Sequence, residues 1–371
     1  MRQHLLPVPP CAEPGVNPLA ATGDRLRWGV VAPGQIARRV TADLAQLEDS
    51  VLQAVSSRSE ANAAGFANDF GFESSYHDAQ GLTGYERLFA DPDVDVVYIA
   101  APHAQHREVA EAALTAGKHV LCEKPLTLNA AEARVLAEVA RTNGVFLMEA
   151  VWTRFLPSIN RAWDIIASGE LGEIQWVQAD LGFVAAYDRR SRLWDPSAGG
   201  GALLDLAVYP LTWAFGALGF PAEVLAQATL TDDGVDMRNA LTLSYETGAT
   251  AQLITSIVAS CPGTATVSGT AGWLTASTPQ CNPSELTITT NDGVSRVEAF
   301  AQIGSNYVYQ LREVTRCIQE GMVESPTMPW ADSIATMDLL DSVRTQVGIQ
   351  YPNDQPLRST GRRYVGLAPT R

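Results

Sequence analysis

Lysine is nearly absent from this chain. Of its 26 basic residues only Lys118 and Lys124 are lysines, leaving 24 arginines (26 − 2). Chemistry that needs an ammonium therefore has two candidates, and Lys118 reads as an ordinary surface residue. Histidine stops early: His4, His77, His103, His106 and His119 are all there are, so an acid or base in the last two-thirds must be another residue type. The five cysteines, Cys11, Cys122, Cys261, Cys281 and Cys317, are odd in number and form no C-x-x-C. That argues against a disulfide framework or a zinc site, predicts no metal, and fits a reducing cytoplasm. No apolar run approaches the length of a bilayer-crossing helix, so no membrane partner is expected. A basic face is lacking too: with a net charge of −15, binding to RNA or DNA is excluded as the leading reading.

What is present is a globular composition, 46% hydrophobic over 371 residues, enough for two domains with cores. Residues 1–24 hold Pro7, Pro9, Pro10, Pro14 and Pro18 without the basic and apolar regions of a signal peptide. They read as an extended tail, either disordered or lying as an arm on the body or on a partner subunit.

From Leu26 to Glu149 short apolar runs alternate with helical stretches. The runs are Leu26–Val31, Val51–Val55, Val94–Ala100, His119–Cys122 and Val145–Met148; the helices are Gln35–Leu47, a segment after Ser59, Tyr85–Phe89, His106–Ala116 and Ala130–Thr142. This rhythm predicts a parallel sheet in an α/β domain over 25–150. Beyond residue 150 the runs lengthen and fill with Val, Thr and Ile: Ile174–Val184, Val224–Leu230, Ala240–Tyr245, Ala249–Val258, Thr264–Ser268 and Glu285–Thr289. They predict a second α/β domain, 151–371, with an open, mainly antiparallel sheet. Helices are expected at about Ala202–Leu218 and from about Asn306 and Ala331.

The first strand runs into Ala32-Pro33-Gly34-Gln35-Ile36-Ala37 and then a helix. This is the strand–turn–helix setting of a dinucleotide fingerprint, with Ala32 in place of the first glycine. Gly34 lets the backbone approach a pyrophosphate, and the helix N-terminus offers free N–H groups. The second strand ends at Ser57-Arg58, where NAD enzymes usually carry a carboxylate. A hydroxyl and a guanidinium suit a 2′-phosphate, so NADP is expected as cofactor, with NAD possible.

Two further features bear on chemistry. Glu123-Lys124-Pro125 follows the strand His119–Cys122, and strand carboxyl ends face the ligand crevice in open α/β sheets. Gly199-Gly200-Gly201 precedes a helical stretch in which Asp205 and Tyr209 stand i, i+4 on one face. Pro210 either kinks that helix or confines Tyr209 to its first turns.

Together with Met148-Glu149-Ala150-Val151-Trp152-Thr153-Arg154-Phe155 and Val267-Ser268-Gly269-Thr270, these motifs resemble the Gfo/Idh/MocA oxidoreductases, most of all their dimeric dihydrodiol dehydrogenase and NADP-dependent xylose dehydrogenase group. The resemblance implies a Rossmann domain, a sugar or diol substrate, and a homodimer formed through the C-terminal sheet. It implies Lys124 and Tyr209 as catalytic, with Tyr209 the acid/base and Asp205 positioning substrate or tyrosine. The cofactor would contact Ala32, Pro33, Gly34, Gln35, Ile36, Ser57, Arg58, Pro102, His106, Glu123 and Lys124. Trp152 and Arg154 would wall the substrate pocket with Asp205 and Tyr209. An ammonium near Tyr209 would favour its phenolate. The rival readings are a non-catalytic NADP-binding sensor or scaffold on the same fold, and an oxidoreductase that never releases its cofactor.

Overall fold

The computed structural model describes residues 8–352 and residue 354. Residues 1–7 of the expected tail and 355–371 of the expected second domain lie outside the described residues.

Six parallel strands form the first sheet: β1 Leu26–Val31, β2 Ser50–Ser57, β3 Ser74–His77, β4 Val96–Ile99, β5 His119–Cys122 and β6 Leu147–Glu149. Their order is β3-β2-β1-β4-β5-β6. The connecting helices are α1 Gln35–Leu44, α2 Glu60–Phe70, α3 Gly84–Phe89, α4 His106–Thr115 and α5 Ala130–Asn143. The central strands β1, β4 and β5 are mostly apolar because both sheet faces are covered there: Trp28, Val30, Val96, Val97, Val120 and Leu121 are all buried. α1 turns Ala37, Val40, Thr41 and Leu44, a helical stripe, onto the sheet. The strand order reverses direction between β1 and β4, which opens a crevice at their carboxyl ends.

The second domain begins with α6 Pro157–Ala167 and carries eight strands: β7 Ile174–Gly182, β8 Glu223–Leu230, β9 Asp236–Ser244, β10 Thr250–Ser256, β11 Ala265–Gly269, β12 Gly272–Ala276, β13 Glu285–Thr290 and β14 Ser295–Ala299. They are ordered β14-β13-β12-β11-β7-β10-β9-β8, antiparallel except where β7 meets β10. Alternation sets the two faces. Val177, Leu243, Leu253, Val267, Leu274 and Ile288 point inward, and α8 Val208–Leu218 packs on β7 from that side. α7 Ala202–Leu206 precedes α8, while α9 Val308–Gln319 and α10 Trp330–Val347 are the last helices among the described residues. α10 ties the domains together, with Arg134 pairing to Asp338 at 2.6 Å and the Ala130 N–H donating to Asp341 at 3.0 Å.

The described part of the tail, residues 8–24, lies on the body. Cys11 is buried and its thiol donates to the Tyr309 carbonyl at 3.3 Å, while Arg312 donates to the carbonyls of Pro18 and Leu19. Four elements are not among those expected from the sequence: β3, α6, β12 and β14. β3 has four residues and none is fully buried. α6 does carry a stripe, Ile159, Ala162, Trp163 and Ile166, behind Pro157 at its start. Lys118 is not an ordinary surface residue: its ammonium is drawn in to donate to the Asp91 and Val94 carbonyls at 2.7 and 2.8 Å. Among the described residues no single helix is long and apolar enough to cross a membrane.

Candidate active site

The crevice has two connected parts that share Gly34, Ala100, Ala101 and Pro102. One, of about 500 Å³, is walled by Ala32, Pro33, Gly34, Ser57 and Arg58. The other, of about 530 Å³, is lined by Gln35, Ile36, Glu123, Lys124, Trp152, Asp205 and Tyr209. Every residue expected to touch the cofactor therefore borders the crevice except His106. That ring is fully buried, with Nδ1 2.8 Å from the Pro125 carbonyl and Nε2 2.9 Å from that of Ala101. It braces the turn that carries Lys124 from behind, and does not face a ligand.

The turn after β1 explains the missing glycine. Ala32 itself adopts φ +64°, its N–H donates to Ser56, and its carbonyl accepts from Gly34. The left-handed conformation is thus reached with a methyl group present, at a strain of about 1–2 kcal/mol. α1 starts at Gly34 with no side-chain cap and no acid in its first turn, so its leading amides face the crevice free.

Lys124 and Asp205 meet across the second part. Lys124 Nζ donates to the Asp205 backbone carbonyl at 2.5 Å and stands 3.5 Å from its Oδ1. Arg192 directs both terminal nitrogens at the same oxygen, each at 3.3 Å, and His103 Nε2 lies 3.8 Å away. Burial opposes ionisation of Asp205, but the cations of Lys124 and Arg192 outweigh it and hold the carboxyl well below the usual range. His103 is driven the other way: burial keeps the imidazole neutral, with Asp205 only partly compensating. Its Nδ1 lies 3.0 Å from the Gly199 carbonyl, which fixes the proton there in the neutral ring.

Tyr209 enters from the first turn of α8. The helical stretch breaks at Ala207, bending by 41°, so Asp205 ends one helix and Tyr209 begins the next. Pro210 falls where a helix needs no amide partner, so it is tolerated there. The Tyr209 hydroxyl accepts from Trp152 Nε1 at 3.2 Å, and Lys124 Nζ sits 5.0 Å above the ring. The expected phenolate does not result. Burial dominates and pushes the phenol well above 10. The ammonium faces the ring and the Asp205 carbonyl.

Arg154 is a second correction. It does not wall the pocket: it is buried against Asp332 at 2.7 Å, a pair that an isolated motif cannot reveal. Among the lining residues that went unread are His103, Arg192 and Tyr307. His103 follows β4 by the same strand-end logic that selected Lys124. Arg192 opens a single 3-10 turn, Arg192–Trp194, too short to leave a periodic pattern. Tyr307 precedes α9 and packs its ring on Trp152, with centroids 4.6 Å apart.

A family model for oxidoreductases with an NAD-binding Rossmann fold matches residues 26–151, and the GFO/IDH/MocA C-terminal domain matches residues 159–275. The chain belongs to the GFO/IDH/MocA oxidoreductases. Within that family it is 35% identical to trans-1,2-dihydrobenzene-1,2-diol dehydrogenase of Mus musculus, over 89% of this chain and 99% of that one. It is 31% identical to the NADP-dependent D-xylose 1-dehydrogenase of Hypocrea jecorina, over 88% and 93%. A 3-ketoreductase from Actinomadura kijaniata, solved with NADP and TDP-benzene, superposes with a TM-score of 0.77 at 28% identity, covering 87% of this chain and 98% of that one. The protein is thus an NAD(P)-linked dehydrogenase or reductase of CH–OH groups.

Proposed function

We propose that this GFO/IDH/MocA protein is NADP-dependent and moves a hydride between the nicotinamide and a secondary alcohol or carbonyl of a sugar or diol. The observation that carries the reading is the convergence of Lys124, Asp205 and Tyr209 in a crevice continuous with the uncapped start of α1. The residues present fit the dinucleotide. The α1 amides suit a pyrophosphate, and Arg58, which lines the crevice beside Ser57, suits pairing with a 2′-phosphate. The carboxylates on that wall are engaged: Asp78 accepts from the Gly84 amide and Glu108 from the Tyr85 hydroxyl.

Oxidising a secondary alcohol breaks a C–H and an O–H bond. A bound nicotinamide would supply the acceptor for the hydrogen that leaves carbon with its electron pair, and the donor in reduction. Tyr209 handles the remaining proton at its Oη. Held protonated at neutral pH, it is a ready donor to the alkoxide formed in carbonyl reduction. As a base for oxidation it requires loss of its own proton, which alkaline pH favours. Lys124 stabilises developing alkoxide charge. Asp205, ionised, accepts from substrate hydroxyls and orients them.

The homodimer is proposed through the outer face of the second sheet, where Leu225, Ile254, Trp273 and Val297 on four strands are exposed. Light scattering that gives the monomer mass would rule it out. The function itself is tested by following NADP reduction with a panel of pentoses, hexoses and vicinal diols. Turnover of a polyol is expected. NADP binding without turnover of any substrate, in either direction, would favour a sensor.

A further inference from the structure

Asp236 opens β9 and is wholly buried. Its partners are amides. Oδ2 accepts from Asn239 Nδ2 and from the Leu203 backbone N–H, both at 2.7 Å, and Oδ1 has no partner. Burying a carboxylate without a counter-ion is costly. Here burial pushes the carboxyl up to about 7, while Asn239 and the amides of Leu203 and Ala202 pull against it.

What this unfavourable placement sustains is visible next to it. Leu203 is the second residue of α7, and the residue at the cap position, Gly201, has no side chain with which to hold the leading amides. Nor is there room for one. A Cβ on Gly201 would overlap Asp236 Oδ1, and φ +118° is a conformation that side chains avoid. Asp236 therefore performs, from 33 residues along the chain, the task that a local Ser or Asp performs at ordinary helix starts. α7 has only five residues, too few to be stable alone, so its course depends on its anchors. It carries Asp205, which presents both its carboxylate and its backbone carbonyl to Lys124.

We infer that Asp236 is a positioning residue of the active site: by anchoring the start of α7 it sets where Asp205 meets Lys124 and, across the break at Ala207, where Tyr209 stands. The inference rests on reading that site as a hydride-transfer centre.

Two variants separate positioning from mere support of the fold. Asp236→Asn keeps an oxygen for the Leu203 amide, and Asp236→Ala keeps none. Both are assayed as kcat per NADP-binding site, with the alcohol KM and the NADP Kd measured alongside. Asp236→Ala should lose at least tenfold in kcat, Asp236→Asn should recover most of it, and NADP should bind within about twofold of wild type in both. A structural residue would instead lower the number of NADP sites and leave kcat per site unchanged. That result, or wild-type kcat in folded Asp236→Ala, overturns the inference. Should the alanine variant not fold, Gly201→Ala probes the same contact from the other side, since its methyl displaces the carboxylate. An unaltered kcat per site there is equally fatal. If wild-type protein turns over no alcohol, the functional reading fails, and a crystal structure of the folded variant decides this one. Asp205 displaced from Lys124 supports it, and Asp205 unmoved overturns it.

Discussion

Replacing Tyr209 by phenylalanine removes one oxygen from the active site and leaves the ring in its packing. The structural cost is modest. The hydroxyl accepts a single hydrogen bond, from Trp152 at 3.2 Å, and losing it costs about 1 kcal/mol. Against a total stability on the order of 5–15 kcal/mol the variant should fold. The chemical cost is larger. A positioned acid or base is worth roughly 10²–10⁴ in rate, or about 3–5 kcal/mol of barrier. The assay is steady-state turnover in both directions across pH 6–10, with NADP Kd measured separately. Because burial holds the phenol well above 10, wild-type carbonyl reduction should stay level over this range. Alcohol oxidation should climb with pH, since only the deprotonated phenol takes a proton. In the variant both rates should fall by about 10²–10⁴ and the climb should flatten, with NADP Kd unchanged. Near-wild-type turnover with the same pH dependence would refute the assignment and route the proton through His103 or Lys124.

Three other expectations follow from the same geometry. Arg58→Ala should weaken NADP roughly ten- to a hundredfold while NAD barely changes, by fluorescence titration; equal losses for both would remove Arg58 from 2′-phosphate recognition. Lys124→Ala should lower kcat by at least about a hundredfold with NADP still bound, and comparable turnover would exclude its ammonium from the chemistry. Arg154→Met should destabilise the fold by about 3–5 kcal/mol, because Asp332 is left buried and unpaired. Denaturant unfolding reads that loss, and kcat per folded molecule should hold; a fall in kcat without a stability change would return Arg154 to the substrate pocket.

The sheet of the first domain was legible because its central strands are buried apolar runs separated by helix-length spacers. That alone located the turn at Gly34 and the strand end at Lys124. Asp205 and Tyr209 were legible as neighbours by their spacing, but the break between them was not, since Pro210 is compatible with either outcome. Long-range partners were invisible. Arg154 looks like a pocket residue until Asp332, 178 positions later, arrives beside it. Lys118 looks exposed until two carbonyls of an earlier loop are seen to take its ammonium. Arg192 and Asp236 reach Asp205 and its helix only through folding, with no local pattern to announce them. The level of the Tyr209 phenol was misjudged for a related reason: charge proximity can be inferred from motifs, whereas the depth of burial that outweighs it cannot.

The docked arm has a consequence for the order in which the chain is made. Its anchor, Arg312, bonds to Pro18 across 294 positions, so the arm leaves the ribosome well before the helix that holds it. Domains fold as units from the N-terminus during synthesis. The parallel sheet is therefore complete in sequence while the arm has only part of its seat, the bonds of Leu19, Ala21 and Thr22 to Glu48 and Asp49. At about 5–20 residues per second, the arm waits on the order of 15–60 seconds for α9. During that interval Cys11 and its apolar neighbours are exposed to solvent, and the proline-rich composition serves a nascent chain well, because prolines are poor templates for strand pairing.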